Sequence, residues 1–115
     1  MIEKTVRDYL AAAFEDVPVY LEKPEEKPGK YIVLQKTGGG ITNRVRRATM
    51  AVQSYADSKF EASALNEQVL AVMDCLPELN LIGRCSLNSE YDYTDVSTKK
   101  YRYQAVFDLN YYEEV

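Results

Sequence analysis

The sequence predicts an α+β fold in which two helices cover one face of a mostly antiparallel mixed sheet of four to five strands. Three patterns point to it. Two stretches repeat apolar residues at three- and four-residue steps, several others alternate apolar with polar residues, and a capping sequence marks the start of the second helix. The predicted order is α-β-β-β-α-β-β, with no internal repeat and no linker, so that residues 1–115 form one domain.

Ile2, Val6, Tyr9, Leu10 and Ala13 recur at helical spacing with charged residues between them, so the first fifteen residues read as an amphipathic helix ending near Asp16. A short strand over residues 17–21 follows. Pro18 cannot donate to a ladder, which assigns that strand to a sheet edge or a strand start. Residues 22–30, EKPEEKPGK, form a polar turn in which Pro28-Gly29 suits a type II turn, and a hairpin is expected there. Residues 31–35, YIVLQ, are apolar on both faces and read as a central strand, which Gly38, Gly39 and Gly40 should break as a mobile or closely approached loop.

Residues 41–55 alternate, but the apolar side changes: Ile41 and Val45 are odd, whereas Ala48, Met50 and Val52 are even. A strand cannot change faces without a bulge or bend. The expectation is one long strand whose first half leans away from the core, with Arg44 and Arg46 on a shared face beside Arg47. Ser58-Lys59-Phe60-Glu61 fits the S-x-x-E capping box, the stripe Ala62, Leu65, Val69, Val72, Met73 and Leu76 follows, and Pro77 ends the helix. Leu79, Leu81, Cys85 and Leu87 give a fourth strand, and Tyr101, Tyr103, Ala105, Phe107, Leu109 and Tyr111 a fifth. Residues 89–100, polar and acidic with Tyr91 and Tyr93 embedded, should form a long hairpin tip. The sheet face away from the helices has little cover, and its tyrosines and β-branched residues suit a partner surface.

Chemistry is scarce. The chain has no His and no Trp, and its two cysteines, ten residues apart, read as reduced, buried thiols. Glu22, Glu25 and Glu26 lie in a Pro-rich turn, where charge serves solvation. Asp92 and Asp95 lack the dense oxygen spacing of a calcium loop. The three glycines precede a strand instead of the helix that a phosphate loop needs, and Ser58 has no histidine to activate it. No cofactor is expected, and no enzymatic activity.

A net charge of −4 argues against direct nucleic-acid binding, even with Tyr31 or Tyr55 available to stack on bases. No apolar run reaches the roughly 18 to 20 residues that cross a bilayer, and the opening Met1-Ile2-Glu3-Lys4 lacks the apolar core of a signal peptide, so synthesis in the cytoplasm without membrane contact is expected. Local charge is uneven. Arg44, Arg46 and Arg47 make a basic cluster, while Asp92, Asp95, Glu113 and Glu114 make other parts acidic. Two complementary patches permit self-association: one of Gly38, Gly39, Gly40, Arg44, Arg46 and Arg47, the other of Tyr91, Asp92, Tyr93 and Asp95.

The segment ATMAVQSYADSKFEASALNEQVLAVMDCL (residues 48–76) resembles the strand-to-helix core of the tail terminator, or tail completion, proteins of long-tailed bacteriophages, also described as minor tail or head-to-tail joining proteins. The points of resemblance are the strand ending Gln53-Ser54-Tyr55, the joint Ala56-Asp57-Ser58, and a helix with Ala62, Leu65, Asn66 and Val69. The closing YRYQAVFDLNYY (residues 101–112) is similar to that family's last strand. The resemblance implies a structural α+β subunit of a phage or prophage virion tail, assembling with itself as a ring, commonly a hexamer. It would sit on the tail-tube protein, stop tube polymerisation and meet a head-completion or connector protein. A head-completion protein of the same joint, a small cytoplasmic ligand-binding regulatory domain, and an enzyme using carboxylates and tyrosine are the competing readings.

Overall fold

A computed structural model describes residues 1–25, 29–98 and 100–112. The elements are α1 (Ile2–Ala13), β1 (Val19–Tyr20), β2 (Tyr31–Thr42), β3 (Val45–Ala56), α2 (Lys59–Asp74), the 3-10 turn η1 (Leu76–Glu78), β4 (Ile82–Asp92) and β5 (Tyr101–Tyr112). The five strands form one sheet in the order β1-β2-β3-β5-β4, antiparallel except for β1 with β2. The α+β prediction holds, with both helices on one face.

Alternation along each strand sorts the residues. Ile32, Leu34, Met50, Val52, Ala105, Phe107 and Leu109 turn toward the helices and are buried with Val6 and Leu10 of α1 and Leu65, Val69 and Met73 of α2. This is the main core. α1 stops at Ala13 because Phe14 turns extended (φ −113°, ψ 96°), its amide still donating to the Leu10 carbonyl at 3.0 Å. α2 opens with the serine half of the capping box: the Ser58 hydroxyl accepts from the Glu61 amide at 3.2 Å. Ser58→Ala is expected to lower stability by about 1 kcal/mol, read as a lower urea midpoint with an unchanged slope.

Four expectations need correction. β1 does not enter a hairpin; it pairs in parallel with β2, Val19 beside Ile32 and Tyr20 beside Val33, with the Pro18 carbonyl accepting from the Ile32 amide at 2.9 Å. Glu26 and Pro28, assigned to the turn there, lie outside the described residues, as do Glu113 and Glu114.

The three glycines do not break β2. The strand runs through them, with Gly38 beside Thr49, Gly39 beside Ala48 and Gly40 beside Arg47, after a bulge at Thr37. The change of apolar phase between Ile41 and Ala48 is a hairpin turn, not a bend in one long strand. Asn43 and Arg44 have positive φ (51° and 68°), the conformation of a two-residue type I′ connection. Finally, β4 starts at Ile82, after Leu79 and Leu81, which were assigned to it, and continues through Tyr91 to Asp92, so the tip between β4 and β5 is shorter than residues 89–100.

Candidate interaction surface

The β2–β3 turn and the β4–β5 tip stand at opposite ends of the sheet, whose strands make the molecule 44 Å long and 25 Å across. At the turn end the three arginines do not share a face. Arg44 occupies the exposed turn itself. Arg46 points to the helix side, where its guanidinium lies 5.8 Å from the Tyr111 ring centre, in a recess of about 470 Å³ shared with Met1, Glu3 and Lys36. Arg47 points to the opposite face and lies across Gly40, where an added Cβ would stand 2.9 Å from its Nη2. The bare glycine is what lets this arginine lie flat. The expectation that Arg44 and Arg46 share a face fails because a turn, not a strand, separates them.

The tip end is organised by Arg102, which the sequence reading missed. Its Nη1 donates to the Tyr55 hydroxyl at 2.9 Å, its Nε to the Tyr93 carbonyl at 2.7 Å, and its guanidinium lies 4.3 Å over the Tyr93 ring. Tyr55 stacks on Tyr31 with ring centres 4.5 Å apart and planes 8° from parallel. Tyr31, Val33 and Tyr55 thus form a second small buried cluster on the face without helices, with Tyr20 packed against it. The polar chain continues: Tyr55 donates to Gln53 Oε1, Gln53 donates to Gln104, and Gln104 donates to the Tyr91 hydroxyl. Tyr91 and Tyr93 meet edge to face at 5.7 Å.

Asp92 and Asp95 each cap a turn. Asp92 accepts from the amide and hydroxyl of Thr94, and Asp95 from those of Ser97. These bonds, led by the Thr94 hydroxyl at Asp92 and the Ser97 hydroxyl at Asp95, hold both carboxyls below the ordinary carboxylate value. Both are therefore negative at neutral pH. Lys59 at the start of α2 stands 3.7 Å from Asp92, and Asn66 donates to Glu90 at 3.0 Å, which ties α2 to the outer strand.

Exposed apolar side chains add to the surface. Phe60 is 82% exposed in the first turn of α2, with Val96 at the tip and Ile41 before the turn also exposed. Phe60 was legible: it sits two residues before Ala62, off the buried stripe. Burial pushes the Cys85 thiol up to about 12, so it stays protonated, whereas Cys75, expected to be buried, is exposed at the C-terminal end of α2. Among the described residues no group of three or more His, Cys, Asp or Glu side chains is arranged to hold a metal ion, and no helix is long and apolar enough to cross a membrane. Neither a protein-family model nor a curated protein matches the chain.

Proposed function

We propose that this chain is a structural subunit of a bacteriophage tail, a terminator that docks on the end of the tail tube as a head-to-tail ring, ends tube polymerisation and forms the joint to the head. It acts by occupying a surface and makes no covalent bond. The segments that carry the family resemblance support this reading: residues 48–76 run from β3 through α2, and residues 101–112 are β5.

One observation carries the ring. A closed ring of identical subunits needs a heterologous interface, two different patches on each copy that fit one another. Here the exposed Arg44 and Arg47 belong to one end of the sheet, and the ionised Asp92 and Asp95, with Tyr91 and Tyr93, belong to the other. Arg44 is informative because an arginine in left-handed backbone costs roughly 1–2 kcal/mol where a glycine costs little. A side chain kept in that conformation at an exposed turn fits contact with a partner.

Negative-stain images of the purified protein should show rings, and light scattering should give a ring's mass. The double change Arg44→Glu with Arg47→Glu should weaken self-association by on the order of 100-fold, with an unchanged circular dichroism spectrum. Unchanged assembly of that variant overturns the patch assignment. A chain that forms no ring and binds no tail tube overturns the function.

A further inference from the structure

Among the described residues both lateral edges of the sheet are unpaired over long stretches, and we infer that they pair with each other between copies, β4 of one subunit adding antiparallel to β2 of the next. This deepens, and rests on, the ring reading above. On one side β1 covers only Ile32 and Val33, so among the described residues no strand lies on that side of the rest of β2. On the other side β4 is the last strand. Open edges of this length are templates for another chain.

The backbone polarity can be worked out. Ile32 donates to the Pro18 carbonyl, so even residues of β2 up to Lys36 aim their amides away from β3; the bulge at Thr37 then moves that role to Gly39 and Ile41. The turn gives the same answer, since Thr42 and Val45 flank a two-residue connection and bond each other. On β4, Tyr93 donates to the Arg102 carbonyl, so Tyr91 also faces β5 and the amides of Glu90 and Asp92 aim outward. Within one copy β2 and β4 run in opposite directions, because three antiparallel pairings separate them. A neighbour placed beside the first by rotation about an axis oblique to the strands, well short of perpendicular to them, therefore offers an antiparallel partner.

Bulges choose the register. β4 is irregular at Gly83 and Asn88, which leaves residues 89–92 as its regular outer stretch near the tip; on β2 the regular uncovered stretch is residues 38–42. Opposing Asp92 to Gly39 and Glu90 to Ile41 aligns all four outward amides. It also aligns charge, for Lys36 lies along Gly39, its Nζ 3.3 Å from where a Cβ would stand, beside the incoming Asp92. The missing side chain at Gly39 is what lets Lys36 lie there.

This register slides each copy along its neighbour. Gly39 is level with Leu109 of β5 and Asp92 with Tyr103, six residues apart, or about 20 Å along the strands. Four strands are about 19 Å wide, so the strands would tilt by roughly 45° to the ring axis, close to the 35–45° of closed barrels. β1 then marks where the neighbour's tip must stop.

The test is a proline that removes one outward amide and no inward one. Ile41→Pro should abolish assembly in light scattering with an unchanged circular dichroism spectrum, while Ile41→Val assembles like wild type. In chains carrying Cys75→Ser and Cys85→Ala, a chain with Ile41→Cys and a second chain with Glu90→Cys should form a disulfide-linked dimer only when mixed. Full assembly of Ile41→Pro, or no mixed disulfide, overturns edge pairing and leaves a ring built on another surface. A wild-type chain that stays monomeric at millimolar concentration overturns both the pairing and the ring.

Discussion

Leu34→Ala is expected to destabilise the fold by about 2–5 kcal/mol, seen as a lower urea midpoint with little change in slope. Leu34 is 1% exposed, beside Val52 on the helix side of β2, and belongs to the core that α1 and α2 close. Truncation removes its transfer free energy and leaves a space that the sheet cannot collapse to fill, since β2 is held by β3 on one side and the helices above. A protein of this size commonly has about 5–15 kcal/mol in total, so the variant should sit near the limit of folding. Leu34→Ile keeps the volume and should cost below about 1.5 kcal/mol. Equal losses for the two variants would mean that the site responds to branching and not to the cavity.

That core was legible because it rests on periodicity. The stripe of α1, the Ser58 capping sequence with the stripe of α2, and the alternation of β5 each specify an element from local residues, and the structure has them where the pattern puts them. What the pattern cannot encode is pairing. Val19 finds Ile32 in parallel only once α1 and the sheet are assembled. Three glycines weaken any local preference, yet residues 38–40 stay in the ladder because β3 supplies partners for them. The phase change at residues 41–48 was visible, but Asn43-Arg44 lacks the glycine that ordinarily announces a type I′ turn. For the surface, residue types were legible and the place of Arg44 was not: the turn takes it out of the ladder, while strand alternation sends Arg46 and Arg47 to opposite faces. Arg102 stood in an alternating strand with nothing to mark that Tyr55, 47 residues earlier, would meet it.

Tyr55→Ala should cost about 3–5 kcal/mol, whereas Tyr55→Phe should cost about 1.5–3 kcal/mol and loosen one part of the molecule selectively. The ring of Tyr55, 4% exposed, stacks on Tyr31, and its hydroxyl accepts from Arg102. Alanine removes the stack and both hydroxyl bonds, the one from Arg102 and the one to Gln53. Phenylalanine keeps the stack and leaves the guanidinium held by the Tyr93 carbonyl and ring. The tip beyond is held by the paired amides of Asp95 and Lys100 and by the turn bonds of Asp92 and Asp95, all near the surface. Arg102 is thus the link through which the buried tyrosines hold a surface hairpin in place. In Tyr55→Phe the Asp95 and Lys100 amides should exchange hydrogen faster, while those of β3 and β5 near Val52 and Ala105 keep their protection. Uniform acceleration across the sheet would show that the hydroxyl supports the fold as a whole. Unchanged tip exchange would mean that the hairpin is held by its own turn bonds, and that the stacked tyrosines on the face without helices serve β2 and β3 alone.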